Sequence, residues 1–546
     1  MIFKNVSAIW TITVKDLHLH LISFRFIVCF ILSVILISIS VYYRSNDYSE
    51  RLTDHNAAVI NSRNELEQIE ALSLLQPRVY RPPVISSIFV ESIENNLGPE
   101  ITITHRSIPV ASQSGKALLN QFAGIFRTFD YSDVVVILLS LLAFLLSYDA
   151  VTGEKERGLL SLTLSNSIPR HHILLGKYLG GLLPLIFSLT AGMLVGILIM
   201  LLIPGVQVAW DFILRIGLMY FASLAFLSLM LLLGIIVSSV THQSFLSLIF
   251  LLFIWVLFVF IIPRVGEYTA LQLRTVPSRR WVNDQISQLK NELDRETADY
   301  SKTIQPQRAG ASMAGSPYKG GMLTPGNPPE TVEYYRQLCA YAIPLQMEYA
   351  QLFRNIEQQL IDGQDKQAKL AAILSSVSPM AIYGRALTAL AGTDGADYDN
   401  FLSAARIYRE RIIDYIKSQG GFSSDLYFMQ YDYNPTEEEL RLTREVSRIQ
   451  QEGMSLMQQS VSMSGPEMQR LQEQYLHAQE QLKQYSNNHP IMARELDLSD
   501  MPEFQYVPHN PSSDLKRSMW SLGTLVFLNI FGLLVAHVAF LKYDVR

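Results

Sequence analysis

Apolar residues in this chain gather into six long runs, and polar residues collect between them in unequal amounts. A helix needs about 20 apolar residues to cross a bilayer core. Residues 21–43 meet that length, with Arg25 near the start. Residues 133–148 form a shorter run that Phe129 or Tyr131 extends into the interface. Residues 173–203 are long and contain Pro184, a candidate kink. Residues 212–240 follow a break at Pro204-Gly205, residues 245–262 follow Thr241-His242-Gln243, and residues 519–541 close the series. Trp10, Trp210 and Trp520 fall at the ends of runs, where interfacial aromatics belong. The expected fold class is mainly α: a polytopic membrane protein with six transmembrane helices and a large, mostly helical periplasmic domain built from two insertions.

The polar stretches give those insertions, residues 44–131 and 264–516. In the first, residues 46–71 read as helix. Residues 78–83 read as extended, because the position before a proline avoids the α region. Residues 84–93 and 100–105 read as short strands. The second insertion is rich in Gln, Glu, Arg and Tyr and reads mostly as helix, interrupted by a Gly/Pro/Ser-rich loop at 309–329. Within it, Thr436-Glu-Glu-Glu439 and Ser464-Gly-Pro-Glu467 match capping boxes. Leu442, Val446, Ile449 and Leu456 follow the first box. Met468, Leu471, Tyr475, Ala478, Leu482 and Tyr485 follow the second at three-four spacing. Residues 436–486 therefore predict a helical hairpin that folds as a unit and projects. Ahead of the first run, Val6, Ile9, Trp10, Val14 and Leu17 recur at helical spacing between Lys15, Asp16, His18 and His20. This predicts an amphipathic helix over 1–20 lying along the inner leaflet.

Basic residues set the orientation. Lys4 and Lys15, then Lys155, Arg157, Arg170 and Lys177, then Lys542 and Arg546, all fall on one side of six spans. That side is expected to be cytoplasmic, with both termini on it and the long loops on the other side. The first run is too long for a cleavable signal and lacks an Ala-x-Ala exit, so it reads as an uncleaved anchor. Hydrophobic residues make up 49% and charged residues 17%, yet mean hydropathy is only +0.19, which requires substantial soluble mass besides the spans. A net charge of −5 argues against a nucleic-acid partner. Cys29 lies in an apolar run and Cys339 in a polar region, so neither a disulfide nor a cysteine metal site is expected. His18 and His20 stand on different helix faces, and the adjacent His171 and His172 are no better a metal pair. Arg25, Asp149, Asp211 and Arg215 lie near run ends, where snorkelling accounts for them.

The short loop at 149–177 is more patterned than a turn. Its charges cluster at the start, in Glu154-Lys155-Glu156-Arg157-Gly158, and Leu159, Leu160, Leu162 and Leu164 follow. A short amphipathic helix beneath the membrane, stopped by Pro169, is the expected form. No catalytic pattern accompanies it. The chain holds no His-Glu-x-x-His, no Gly-x-Ser-x-Gly and no phosphate loop; Gly115-Lys116-Ala117 and Gly176-Lys177-Tyr178 lack the required neighbours.

Five segments together resemble one family. They are 153–158 running on to Pro169-Arg170 and Gly176-Lys177; Arg81-Pro82-Pro83 with 85–91; Trp255 through Ile262-Pro263; Ser378-Pro379 with 390–393; and the terminal Tyr543-Asp544-Val545-Arg546. In order and spacing the chain resembles the ABC-2 type transport permeases, membrane subunits of bacterial ABC exporters. It is most similar to the subgroup with enlarged outer domains, related to permeases of nitrous-oxide-reductase maturation and gliding motility. The 436–486 hairpin matches no motif of that family and reads as a lineage-specific addition. The resemblance implies a non-enzymatic subunit with no cofactor of its own. ATP and Mg would be bound by a partner ABC ATPase, and a second permease subunit, identical or not, would complete the pair in membrane lipid. It also implies a cytoplasmic coupling helix at 153–169. Glu154, Glu156, Arg157 and Arg170 would make charged contacts there, Gly158 would allow close approach and Leu160 would fill a pocket. Pro169 would bound the helix, and the turn at Thr241 would offer a second, smaller contact. The rival expectation is a membrane-anchored scaffold whose periplasmic domain binds an envelope protein.

Overall fold

The computed structural model describes the chain except residues 1, 91–97, 111–128, 166–168, 207, 305–312, 315, 325–326, 328, 432–433, 459–464, 490–495, 509 and 542–546. Among the described residues, six helices are long and apolar enough to cross a membrane: Phe24–Glu67, Tyr131–Glu156, Arg170–Leu201, Trp210–Val240, Ser244–Leu273 and Pro511–Leu541. The chain is a mainly α-helical, multi-pass membrane protein.

The first span does not stop at residue 43. It continues as one 44-residue helix to Glu67, about 66 Å at 1.5 Å per residue. About half of it therefore stands outside a 30 Å bilayer core. The polar half contains no Gly or Pro to break it. Arg51 pairs with Asp47 one turn away, at 2.9 Å. The second span starts at a reciprocal cap, in which the Asp130 and Asp133 amides each donate to the other's carboxylate at 3.0 Å.

Burial sorts the spans. The most apolar stretches of the second and fourth are 67% buried, against 28%, 17% and 22% for the first, fifth and sixth. The second and fourth spans form the centre, and their crossing depends on Gly234. A Cβ built there would lie 1.7 Å from Ser147 Oγ, so only glycine lets the helices approach this closely. Gly181, Ser188 and Leu189 of the third span are buried in the same bundle.

A buried outer helix, Pro379–Ala391, closes the far end between the fourth and sixth spans. Ser378 caps its start and Gly392, at φ 67°, ends it. Tyr383 stacks on Phe226 at 4.6 Å. The Ser223 hydroxyl lies between the hydroxyls of Tyr383 (2.7 Å) and Tyr131 (3.0 Å). Arg215 is not a snorkelling residue as expected. It is buried, donates to the Leu390 carbonyl at 3.0 Å, and pairs with Asp514 of the sixth span at 2.5 Å. Arg517 joins Asp514 to Asp394 (2.9 Å). Ser86 donates to the Ala391 carbonyl at 2.5 Å, so the segments 85–91 and 378–393 singled out in sequence meet in space.

The two insertions share one core, which makes them a single outer domain. Leu72, Leu75, Val79 and Ile103 from the first pack with Leu338, Ile343, Phe401 and Ile412 from the second. Arg78–Tyr80 pairs antiparallel with Glu100–Thr102. The strand expected at 84–93 is instead a 3₁₀ turn at Ile85–Ile88, with 91–93 outside the described residues. Ser87 donates to the Val84 carbonyl at 2.6 Å, and such local bonds compete with strand pairing. In the 309–329 patch, Met313–Ala314 pairs with Met322–Leu323.

The hairpin helices are Glu437–Gln458 and Gly465–Asn488. Leu442, Ile449 and Ala478 are buried along their seam. Thr436 accepts from the Glu439 amide at 3.2 Å and shares a hydrogen bond with Tyr485. The box at Ser464 and the turn at 462–464 lie outside the described residues, as do the terminal 543–546.

Candidate functional site

The loop after the second span is an elbow of two short helices rather than the one helix expected at 153–169. Thr152–Glu156 prolongs the span, and Leu159–Ser165 resumes after a break. Gly158 makes the break. Its φ is 70°, a left-handed value that favours glycine, and its amide donates to the Lys155 carbonyl at 3.1 Å. A Cβ there would meet nothing within 4 Å in this chain, so within the chain the glycine serves the turn. Residues 166–168 are outside the described set, and Pro169 stands as the N-cap residue of the third span.

One side of the elbow is committed to the spans. Val151, Thr152 and Leu160 are fully buried. Ser238 accepts from the Val151 and Thr152 amides at 3.0 and 3.1 Å. Lys155 donates to the Ser239 and Thr241 carbonyls at 2.5 and 3.0 Å. Glu156 accepts from the Ser244 amide and hydroxyl, both at 2.8 Å. Glu154 lies 2.8 Å from Lys177, whose side chain is only 4% exposed, and 3.4 Å from Lys15. Asp16 completes this group at 3.8 Å from Lys177. The N-terminal helix Ile2–Ile22 thus packs on the third span, with Thr13 donating to the Gly176 carbonyl at 3.3 Å. Trp10, Val14 and Ile22 remain on its exposed surface. Arg170 donates to the Leu541 carbonyl at 2.8 Å, at the end of the sixth span.

The other side is open. Arg157 and Gly158 are exposed, with Leu159 at 45% and Leu162 at 64%. The expectation that Leu160 fills a partner's pocket is corrected: it is 0% exposed and already fills this chain's own core. Leu159 and Leu162, three residues apart, share the opposite face. The expected charged contacts are redistributed in the same way. Glu154, Glu156 and Arg170 hold elements of this chain together, and Arg157 faces outward. Thr241 is the C-cap of the fourth span, with its hydroxyl on the Val237 carbonyl. Sequence reasoning missed Lys15, Asp16 and Lys177 as a group. The signal was there: a lysine opening an apolar run needs a buried partner. The rings of His171, His172 and His537 gather beside Arg170. Among the described residues, no group of three or more His, Cys, Asp or Glu could hold a metal ion.

Among the described residues, six spans, a helix covering one end of the bundle and an elbow docked at the other define a multi-pass membrane protein. Residues 10–405 match the family described as ABC-2 family transporter protein, and the chain belongs to that family. Residues 340–506 match a domain of unknown function, DUF3526. That match includes the 436–486 hairpin, which is therefore part of a recognised domain and not an addition peculiar to this lineage. Over 79 residues the chain is 38% identical to the probable ABC transporter permease protein NosY of Pseudomonas aeruginosa, covering 14% of this chain and 29% of that protein. NosY of Stutzerimonas stutzeri is 38% identical over 82 residues, covering 15% and 30%. The matched segment spans about three tenths of the length of these curated relatives.

Proposed function

We propose that this chain is the permease subunit of an ATP-binding cassette exporter, driven by a separate ATPase subunit that docks on the elbow. The observation that carries the reading is the two-sided elbow. Its buried side is bonded to the third, fourth and fifth spans and to the N-terminal helix, while Arg157, Leu159 and Leu162 face outward. A surface built this way can pass a push into the bundle without deforming first. Family membership and the likeness to NosY, named as a permease, support the reading. The export direction follows the family resemblance. The basic bias of the elbow side supports a cytoplasmic elbow and termini, with the outer domain in the periplasm of a bacterial inner membrane. The weakly buried first, fifth and sixth spans supply apolar surface for lipid and for a second permease subunit.

The experiment is site-specific photo-crosslinking. A photoreactive residue at Leu162 should capture a chain bearing a phosphate-binding loop in the native host, and one at Trp281, in the outer domain, should not. Impermeant thiol reagents should label a cysteine at residue 300 from outside, and one at residue 162 only after permeabilisation. Capture at Trp281 instead, or outside labelling at 162, would overturn the reading.

A further inference from the structure

Two adjacent elbow residues of opposite charge each face a helix end of complementary polarity. A helix C-terminus leaves carbonyls unpaired with partial negative charge, and an N-terminus leaves amides unpaired with partial positive charge. The fourth span ends at Val240 and the fifth begins at Ser244, so two opposite poles lie side by side. Lys155 Nζ sits between the Ser239 and Thr241 carbonyls. Glu156 spends one oxygen on the Ser244 amide and the other on its hydroxyl. Thr152 adds hydroxyl contacts to Ser238 (3.2 Å) and Ser244 (3.4 Å). Gln243, the N-cap residue of the fifth span, makes no side-chain cap bond, so this helix start is capped from another helix. The fifth span is also the least buried of the six in its apolar stretch, at 17%. Its other polar ties lie further along the span, where Trp255 donates to the Ser140 hydroxyl at 2.8 Å and Ser378 donates to the Phe258 carbonyl at 2.5 Å, so at the elbow end the polar hold comes from Lys155, Glu156 and Thr152.

We propose that Lys155 and Glu156 are positioning residues that clamp the turn between the fourth and fifth spans to the elbow, so that the fifth span moves with the elbow as one body. The source of the motion rests on the docking reading above; the clamp itself does not. Charge-assisted bonds to helix ends are directional, so they hold a register that apolar contact alone would let slip.

The test uses the full-length chain in lipid nanodiscs. Without any partner, amide exchange over residues 241–248 should rise about threefold in Glu156→Ala and in Lys155→Met, since Glu156 is exposed and solvent screens its bonds. Lys155→Arg keeps a cation able to reach both carbonyls and should stay near wild type. Glu156→Gln keeps one accepting oxygen and should fall between, which keeps the test decisive if Glu156→Ala fails to fold. Spin labels at Leu162 and His242 then report motion when ATPase and nucleotide are added. In wild type the distance between them should hold while both shift relative to a label at Trp210. In Glu156→Ala, residue 242 should lag. Unchanged exchange in both Glu156→Ala and Lys155→Met, or a residue 242 that follows as before, would overturn the clamp. If exchange responds as expected but wild-type residue 162 never moves with nucleotide, the docking reading fails and the clamp stands.

Discussion

Replacing Asp514 with alanine should be among the most damaging single changes in this chain. Its side chain is 1% exposed and lies between Arg215, at 2.5 Å, and Arg517. Without it, Arg215, only 10% exposed, keeps its bond to the Leu390 carbonyl but loses the carboxylate that offsets its charge. Breaking a buried pair by removing one partner costs about 3–5 kcal/mol. Arg517 softens the loss, because it is 25% exposed and retains Asp394; we therefore expect about 3 kcal/mol, the lower end of that range. The assay is thermal unfolding of the purified chain in detergent, run on Asp514→Ala and on a cycle of Asp514→Leu, Arg215→Met and their double. The double variant Arg215→Met/Asp514→Leu should recover to within about 1 kcal/mol of wild type, since an apolar pair of similar volume avoids the desolvation penalty. A loss below about 1 kcal/mol for Asp514→Ala, or single effects that simply add, would refute the idea that the pair locks the outer helix to the bundle.

Gly234→Ala should destabilise the bundle by about 1–3 kcal/mol, because the new methyl overlaps Ser147; Ser147→Gly in the same chain should restore thermal stability. Outer-domain stability should fall with acid through His105, which is buried against Gln346, Phe422 and Tyr427. Burial, then Arg106, holds its pKa down from 6.5 to about 4, so the unfolded chain takes up the proton first. Its contribution is complete above pH 6.5 and is lost as pH falls toward 4, about 3 kcal/mol in all. Unfolding of His105→Gln followed across that window should show a flatter pH dependence. Replacing residues 437–487 with a short Gly/Ser linker should leave insertion and ATPase capture intact, and failure of that variant to fold would place the hairpin seam against the main body.

The spans were legible because a bilayer demands about 20 apolar residues and little else in the chain supplies them. Their ends were less so. The first span runs on to Glu67 because nothing after residue 43 breaks a helix, and hydropathy does not register that continuity. Arg215 looked like a snorkelling residue because its partner, Asp514, lies far along the chain. At the elbow, leucines occupy both faces, and contact with the rest of the bundle, which the local pattern cannot supply, decides that Leu160 goes in while Leu162 stays out. The charges were read as one outward set. The structure gives Lys155 and Glu156 to helix ends and Glu154 to a buried lysine, because unpaired groups at the bundle's edge attract whatever charge is close enough to satisfy them.

The most direct measurement of the central claim is ATPase binding to chains altered only on the open face of the elbow. With the cognate ATPase purified and the permease in nanodiscs, Arg157→Glu combined with Leu162→Asp should weaken binding at least about tenfold, since rim charges steer encounter and buried apolar anchors carry much of the affinity. Both positions are exposed, so the permease itself should keep its wild-type melting temperature. Wild-type affinity in that folded double variant would contradict the account and move the docking surface off the elbow.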